Sequence, residues 1–360
     1  MNALRAKAEA ADSTAATPPD QRSRAAASHL TVAADHAGQR LDNFLQGRLR
    51  GLPKALIYRI IRTGEVRVNG GRSKAEHKLA AGDDVRLPPL ALAAGSAGPR
   101  TMPATALRGF DAEELAILHE DDVLIAIDKP AGLAVHGGSG VAAGLIERLR
   151  ASRPAAPFLE LVHRLDRDTS GVLLVAKSRP ALLALHRALA RGAATKHYRA
   201  WVKGYWGRSG ASLLQFPLQR YVAADGERRV RVAAGGQAAA TRVRRITQLD
   251  STGIAGLPPA LSLLDCELLT GRTHQIRVHL AQAGFPLLGD QKYGDFTLNK
   301  KLEKSGHKRM FLHAFTLSIE HPSSGLPVRF ESPLPAAFQR LAEDVGRWRN
   351  DDGNAAVDGR

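Results

Sequence analysis

The sequence predicts an α+β protein whose larger part is a mixed, mostly antiparallel sheet. Between residues 111 and 340, short apolar runs with the length and composition of strands recur, and helical patterns lie between some of them. This order is typical of a mixed α+β domain with a substantial sheet. A small basic unit with its own apolar pattern precedes that domain. The predicted strands cover residues 123–127, 172–176, 198–202, 261–268 and 311–319, and the predicted helices cover 180–190 and 274–283.

Residues 34–90 predict a small α/β unit of two helices and a hairpin. Apolar residues recur at helical spacing from Leu41, and Pro53 is placed to open a second helix. The sequence Asn69-Gly70-Gly71 is a hairpin-turn signal, and a further strand is expected around Val85. We therefore expect this part of the chain to form a unit of its own.

The small unit is strongly basic, with 11 Lys and Arg against 5 Asp and Glu within residues 40–86. Charge runs on helices are commonly no more than a solvated face, but the imbalance of sign here favours contact with RNA. The cations that fall on the two predicted helices include Arg48, Lys54, Arg59 and Arg62.

The whole chain carries 51 Lys and Arg against 35 Asp and Glu, a formal net charge of +16. This excess favours a polyanionic partner, above all nucleic acid, with an anionic membrane surface as the competing target. No apolar run approaches the ~18 residues of a spanning helix, so we expect no membrane partner. The single cysteine, Cys266, makes an intrachain disulfide impossible and a cysteine-ligated metal site implausible, and it fits a reducing cytoplasm.

Three segments are expected to lie outside the folded units. The start of the chain is rich in Ala, Ser, Thr and Pro and lacks the apolar stretch of a secretory signal, which predicts a disordered tail over residues 1–30. Residues 91–110 are small, contain Gly, Ala and Pro, and predict a linker. The polar end of the chain predicts a C-terminal tail over residues 341–360.

The segment 163–171, His-Arg-Leu-Asp-Arg-Asp-Thr-Ser-Gly, is the most informative part of the chain. It gathers two carboxylates, two guanidiniums and an imidazole within six residues, directly before the predicted buried strand at 172–176. Charges at the mouth of a sheet are costly to desolvate unless they are paired or used. Taken alone, these nine residues are equally compatible with a salt-bridged loop and with a catalytic site.

Several kinds of site are disfavoured by the spacing of the other motifs. The glycine run 137–140 lacks the Gly-Lys-Ser/Thr ending of a phosphate loop, so plain turn chemistry is the better interpretation. His274 and His279 are five residues apart, whereas a zinc-binding helix needs a spacing of four with a nearby glutamate. No Gly-x-Ser-x-Gly motif of a serine hydrolase occurs. Carboxylates, guanidiniums and a tyrosine remain as candidate catalytic groups.

A carboxylate can act as a covalent nucleophile towards sugar or electron-poor ring carbons, provided that it stays ionised. A neighbouring arginine favours the ionised form. Arg277 follows a glycine turn and precedes an amphipathic segment, so it could reach Asp166 across the sheet.

Three motifs together resemble the pseudouridine synthases of the ribosomal large-subunit type, over nearly all of residues 34–340. They are Asp-Lys-Pro-x-Gly from Asp128, His-Arg-Leu-Asp-x-x-Thr-Ser-Gly from His163, and Gly-Arg-Thr-His-Gln-Ile-Arg-Val-His from Gly271. The small unit resembles an S4-type RNA-binding domain through the hairpin pattern Gly-x-Val-x-Val-Asn-Gly from Gly64. The resemblance implies an S4-like domain over residues 34–90 and a pseudouridine synthase catalytic domain over residues 111–340.

The resemblance also assigns roles to single residues. It implies that Asp166 is the nucleophile, that Arg277 pairs with it, and that the ring of Tyr198 stacks on the target base while its hydroxyl assists proton transfer. It implies that Arg164 enters the RNA stack in place of the extruded base. Further RNA contacts are expected from His163, Arg272 and His274.

The implied reaction isomerises uridine to its C-glycoside, which needs no redox step or group donor, so no cofactor and no metal are expected. The implied partner is 23S ribosomal RNA, and a cytoplasmic monomer is expected because no heptads or large apolar stripe suggest an oligomer. Two alternatives within the RNA-binding class are a non-catalytic ribosome-assembly factor and a synthase that acts on another RNA. A glycosidase would need Asp168 as a second carboxylate and would leave the basic unit without a purpose.

Overall fold

The computed structural model divides the chain into two compact units, Met1–Arg100 and Thr101–Arg360. The residues that the structure describes are 27–49, 52–89, 115–137, 143–208, 210–224 and 226–355. The predicted linker over residues 91–110, residues 1–26 of the predicted N-terminal tail, and the predicted start of the larger domain at residue 111 lie outside the described residues.

The smaller unit is a four-stranded antiparallel sheet packed against two helices. The strands occur in the order β1-β4-β2-β3. Apolar residues of both helices and of the sheet share one core, which includes Leu41, Phe44, Ile57 and Val85. The elements are β1 Ser28–Thr31, α1 Leu41–Arg48, α2 Lys54–Arg62, β2 Arg67–Val68, β3 Gly71–Arg72 and β4 Asp84–Leu87, with a 3-10 turn at Ala34–His36.

The predicted hairpin turn of the smaller unit is confirmed. Asn69 and Gly70 connect β2 to β3, and both have positive φ, 50° and 77°. A two-residue turn of this kind requires left-handed backbone at both positions, which Asn and Gly tolerate best.

The larger unit is built on one ten-stranded sheet, and the predicted α+β class is confirmed. Its strands are β5 Ala116–Glu120, β6 Leu124–Lys129, β7 Glu160–Leu161, β8 Ser170–Ala176, β9 Thr195–Lys203, β10 Ser212–Leu214, β13 Thr241–Asp250, β14 Ala260–Leu268, β15 Leu312–Glu320 and β16 Pro327–Glu331, with a separate hairpin of β11 Leu218–Val222 and β12 Arg228–Val232. Its helices are α3 Leu145–Ser152, α4 Arg179–Ala190, α5 Gln275–Gln282, α6 Phe296–Lys304 and α7 Ala336–Ala355.

The sheet runs in the order β10-β13-β14-β9-β15-β8-β6-β5, with β7 paired to β8 and β16 to β15. Helices α3 and α5 pack on the face that carries Leu173 and Tyr198. On the opposite face, α4 packs on Leu174, and α6 and α7 pack on Trp201. The sheet is therefore buried on both sides, which explains why β8 consists entirely of buried residues.

Strands β8 and β15 form a short parallel pair within an otherwise antiparallel sheet. Ser170 pairs with His313, and Gly171 pairs with Ala314. Gly171 has a φ of 111°, and a Cβ at this position would lie 2.1 Å from the carbonyl oxygen of Ala314. Only glycine allows the two strands to approach in this way. The end of the segment 163–171 is thereby fixed to the middle of the sheet.

Two predicted segment boundaries are wrong. Ser28, His29 and Leu30 belong to β1, not to a disordered tail, because they pair with β4. Residues 341–355 continue α7 and are not a tail, because Leu341 and Val345 are buried in the core on the Trp201 face. Residues 356–360 lie outside the described part of the chain.

Replacement of Gly171 by alanine should destabilise the larger unit by about 3 kcal/mol or more, because the added methyl group collides with backbone and φ is strained. Gly325→Ala is the matched control: its φ is 71° but nothing lies within 4 Å of the added carbon. The Gly325→Ala substitution should lower the free energy of unfolding by about 1 kcal/mol, the cost of the backbone strain alone. Equal costs for the two variants would contradict the close approach of β8 to β15. Urea unfolding followed by tryptophan fluorescence reports on this unit alone, because all three tryptophans (Trp201, Trp206 and Trp348) belong to it.

Candidate active site

A cleft of about 610 Å³ opens in the larger unit where three segments meet. The loop before β8 contributes Asp166, β9 contributes Tyr198, and the start of α5 contributes Arg277, with His274 just before this helix. The structure therefore brings together the three residues expected to be catalytic, although they are far apart in the sequence.

The loop that carries Asp166 is anchored by a buried lysine. Lys129, at the end of β6, is fully buried, and its ammonium donates to the carbonyl oxygens of Pro130, Leu133 and Arg167 at 2.8, 2.8 and 2.9 Å. Gly132 donates its N–H to the same Arg167 oxygen at 2.9 Å. The segment 129–132 thus holds the backbone one residue after Asp166 with two hydrogen bonds.

Arg277 lies between two carboxylates. Its Nη1 donates to Asp166 Oδ2 at 3.0 Å, while its Nε and Nη2 donate to the two oxygens of Asp290, both at 2.7 Å. The side chain of Arg277 is 6% exposed and that of Asp290 is fully buried, whereas that of Asp166 is 21% exposed. The two-pronged bond to Asp290 fixes the plane of the guanidinium. Arg277 in turn fixes the orientation of Asp166 at the cleft.

Arg277 and Asp290 each stabilise the charged form of the other. Burial opposes the charge of Arg277, but hydrogen bonds to Asp290 and the nearby Asp166 outweigh burial and raise the pKa of Arg277. Burial also opposes the charge of Asp290, yet the hydrogen bonds from Arg277 and from the N–H groups of Lys292 and Tyr293 leave the pKa of Asp290 lowered. Arg277 and Asp290 are therefore both charged at neutral pH.

Asp290 reaches Arg277 because of the glycine that precedes it. Gly289 has a φ of 72°, and a Cβ at this position would lie 1.7 Å from the Arg309 carbonyl oxygen. Asn299 secures the same turn, since its side chain bonds to the backbone of Gly289 and of Asp290, each at 2.8 Å. Sequence analysis missed Asp290. An acidic residue that follows the apolar pair Leu287–Leu288 after a single glycine was the available signal, because a buried carboxylate needs a cationic partner.

His274 has a left-handed backbone, with a φ of 52° and a ψ of 22°, immediately before α5. Its Nδ1 bonds to the hydroxyl of Tyr293 at 2.8 Å, and its Nε2 lies 3.8 Å from Asp166 Oδ1. Gln275 locks the turn by accepting the N–H of Arg272 and donating to Thr241. Strained backbone that is held by such contacts is common at functional sites.

Tyr198 is buried at the cleft, with its ring in the core on the Leu173 face. Burial and the charge of Asp166 raise the pKa of its hydroxyl, so the phenol stays neutral at physiological pH. No hydrogen bond joins this hydroxyl to another residue that the structure describes. A neutral phenol in this position can offer a flat ring and a proton to a bound molecule.

Asp166 is the one carboxylate among the described residues that line the cleft. Asp168 pairs with Arg167 at 3.0 Å, has a side chain that is 43% exposed, and does not line the cleft. Asp290 is buried behind Arg277. A glycosidase with two facing carboxylates is therefore not supported by this geometry.

The expected RNA contacts fall into different environments. Arg164 and Arg272 are exposed at the cleft, and His274 lies within it. His163 also lines the cleft, but its Nε2 accepts the backbone N–H of Leu174 at 3.2 Å, and burial lowers its pKa to about 4. This geometry favours a structural role for the neutral imidazole of His163 over the expected RNA contact.

In the smaller unit, Arg48, Arg59 and Arg62 are exposed on the two helices. Lys54 is the first residue of α2, and the structure does not describe its side chain. Arg59 and Arg62 line a groove of about 500 Å³ along this helix.

His279 and Cys266 both lie in the core of the larger unit. His279 is fully buried and bonds to Thr241 Oγ1 and to the Phe216 carbonyl oxygen, both at 3.0 Å, so it belongs to the core. Cys266 is fully buried in β14 and packs in the core. Within the described ranges, no group of three His, Cys, Asp or Glu side chains could hold a metal ion, and no helix is long and apolar enough to cross a membrane.

A buried polar network continues from the loop into the sheet. The Nδ1 of His313 lies 2.9 Å from Ser170 Oγ, and its Nε2 lies 3.2 Å from the Ser332 carbonyl oxygen. Arg309 donates to Ser170 Oγ at 2.8 Å. These contacts suit a neutral imidazole that donates at Nε2 and accepts at Nδ1. Burial lowers the pKa of His313 to about 4.

The stability of the larger unit should therefore fall as the pH falls from about 6.5 to about 4. In this range the unfolded chain binds a proton at His313 that the folded chain does not bind, so acid favours unfolding. His313→Asn should reduce the slope of unfolding free energy against pH by about 1.4 kcal/mol per pH unit within this range. Urea titrations followed by tryptophan fluorescence at several pH values measure the slope. The same slope in both proteins would show that this imidazole titrates alike in the folded and unfolded states.

Comparison with known proteins agrees with the geometry. The family model described as RNA pseudouridylate synthase matches residues 123–282, and the model of the S4 domain matches residues 39–85. The protein named ribosomal large subunit pseudouridine synthase C of Salmonella typhimurium (strain LT2) is 46% identical over 319 residues, covering 87% of this chain and 95% of the relative. The protein of the same name from Yersinia pestis is 47% identical over 305 residues, covering 85% and 91%.

A solved structure, human RNA pseudouridylate synthase domain containing 1, shares the fold. It is 22% identical, covers 66% of this chain and 96% of its own, and superposes with a TM-score of 0.52. The similarity to the curated relatives spans both units of this chain at nearly half identity. The chain belongs to the RNA pseudouridylate synthase family and carries an S4 domain in its smaller unit.

Proposed function

We propose that this protein converts specific uridines of 23S ribosomal RNA to pseudouridine, with Asp166 as the reacting carboxylate. The observation that carries the proposal is the placement of Asp166 in a protein of this family. It lines the cleft, lies 3.0 Å from the buried guanidinium of Arg277, and has no second carboxylate beside it among the described lining residues.

The reaction rearranges one nucleotide and exchanges only a proton with water. The N1–C1′ bond breaks, the uracil turns, C5 bonds to C1′, the proton on C5 leaves, and N1 gains a proton. The carboxylate of Asp166 can attack C1′, attack C6, or take a proton in a glycal route, and each path uses the same oxygen atoms. The residues of the cleft supply a carboxylate, a neutral phenol and a cation, which is the set that these steps require.

The target base must leave its stack before Asp166 can reach it, which costs a few kcal/mol. The ring of Tyr198 offers a surface on which the extruded uracil can stack. Arg164 is exposed at the cleft mouth, where its guanidinium can fill the space that the base leaves. Arg272 extends the basic lining of the same cleft, and His274 adds an imidazole to it.

Contacts to phosphates can offset the cost of extruding the base. The smaller unit is suited to this task, since Arg48, Arg59 and Arg62 are exposed on its helices. We therefore assign RNA binding to the S4 unit and chemistry to the larger unit. We also propose 23S ribosomal RNA as the partner, because the relatives at 46% and 47% identity are named for the ribosomal large subunit. A cytoplasmic location beside that substrate and a monomer as the acting form complete the proposal.

Asp166→Asn should abolish isomerisation, with a loss of more than about a thousandfold, because the amide cannot act as a nucleophile or base. RNA affinity should stay within about threefold, since the phosphate contacts are unchanged. Release of tritium from a 23S transcript labelled with 5-³H-uridine measures the reaction.

Asp168→Asn is the matched control, because it removes the same charge two residues away and outside the cleft. This control should retain activity within about threefold. Undiminished tritium release by the Asp166→Asn variant would refute the assignment of the reacting carboxylate.

A further inference from the structure

Lys196 is a half-buried cation at the cleft that the reaction described above does not use. It lies on β9 two residues before Tyr198, and both residues line the cleft. Alternate residues of a strand point to the same face and are about 6.8 Å apart along it. Lys196 and Tyr198 therefore face the same side of β9, one alternate position apart.

No ion pair or hydrogen bond joins the Nζ of Lys196 to another residue that the structure describes. Its neighbours leave the ammonium open to the cleft: Gly271 has no side chain, and a Cβ there would lie 3.7 Å from Nζ. The nearby His163 is neutral and uses its Nε2 to accept a backbone N–H. Burial lowers the pKa of Lys196, which shows that the charged form lacks compensation within the protein.

Apolar residues are part of the lining of the cleft that holds Lys196. Leu189, Ala190 and Leu269 line it, with Leu269 39% exposed. A half-buried ammonium without a partner in the described part of the protein is costly unless an anion comes from outside the protein. In a cleft that admits an RNA strand, the anions that come with the substrate are its phosphates.

We propose that Lys196 binds a phosphodiester of the RNA strand immediately next to the target uridine, and so holds that strand in position over Asp166. The inference rests on the proposed function, because it takes RNA as the molecule in the cleft. Lys196 acts as a positioning residue: it grips the strand as a point charge and takes no part in bond breaking.

The test compares Lys196→Met with Lys196→Arg and with Lys300→Met in the full-length protein. Methionine keeps the apolar stem and removes the charge, while arginine keeps the charge. Lys300 is exposed on α6 and does not line the cleft, so its replacement removes an equal charge elsewhere. The probe is an unmodified 23S rRNA transcript labelled with 5-³H-uridine. The measurements are the binding constant against KCl concentration and the single-turnover rate of tritium release at saturating enzyme.

Loss of one phosphate contact should reduce the slope of log K against log salt by about 1 in Lys196→Met. The saturating rate should stay within about threefold of the unaltered protein, and Lys196→Arg and Lys300→Met should keep the original slope. An unchanged slope in Lys196→Met would overturn the proposal. So would a large fall in the saturating rate without a change in slope, since it would place Lys196 on the reacting nucleotide.

Failure of this inference can be distinguished from failure of the proposed function. If the unaltered protein releases no tritium from the 23S transcript, the proposed function fails while the salt slopes remain measurable. If it releases tritium and the slope of Lys196→Met is unchanged, only the phosphate contact fails. Urea unfolding monitored by tryptophan fluorescence checks that Lys196→Met is folded. Its unfolding midpoint should equal that of the unaltered protein.

Discussion

The buried guanidinium of Arg277 is the interaction on which the rest of the site depends. Two of its nitrogens bond to the fully buried Asp290 and a third bonds to Asp166. Removing one partner of such a buried group leaves an uncompensated charge, which costs about 3–5 kcal/mol. Because Asp290 fixes Arg277, the guanidinium cannot follow Asp166 if that side chain moves. The arrangement therefore acts as a rigid anchor that orients the carboxylate towards the cleft.

The fold supplies this anchor by joining distant segments at one point of the sheet. Lys129 holds the loop of Asp166 from β6, and Gly171 lets β8 close on β15 directly after the loop. Gly289 brings Asp290 to α5 from the other side. Each contact uses backbone groups or a position where no larger residue fits, which leaves the loop little freedom. Such preorganisation suits chemistry that depends on the placement of one carboxylate.

The sequence predicted the elements and the central residues of the site, but not the groups behind them. Asp166 stood out because it lies in a charged cluster directly before an apolar run. Arg277 stood out because it follows a glycine turn and precedes an amphipathic segment. The anchor residue Asp290 was not assigned a role, because its importance comes from its bonds to Arg277, which the sequence does not show. Lys196 was not assigned a role either, because the folded structure is needed to see that its ammonium is half-buried at the cleft without a described partner. The prediction of a tail over residues 341–360 was wrong because this part of the chain is mostly polar. Its two apolar residues, Leu341 and Val345, belong to the core that includes Trp201, which the sequence does not show.

The most direct test of the anchor is a double-mutant cycle between Asp290 and Arg277, read as the single-turnover rate of uridine isomerisation. If Asp290 acts only by fixing Arg277, Asp290→Asn should lower the rate about tenfold or more in the unaltered protein. The same change should have no further effect, within about twofold, in the Arg277→Met background. Equal losses in the two backgrounds would contradict the account, because they would mean that Asp290 influences the reaction without Arg277.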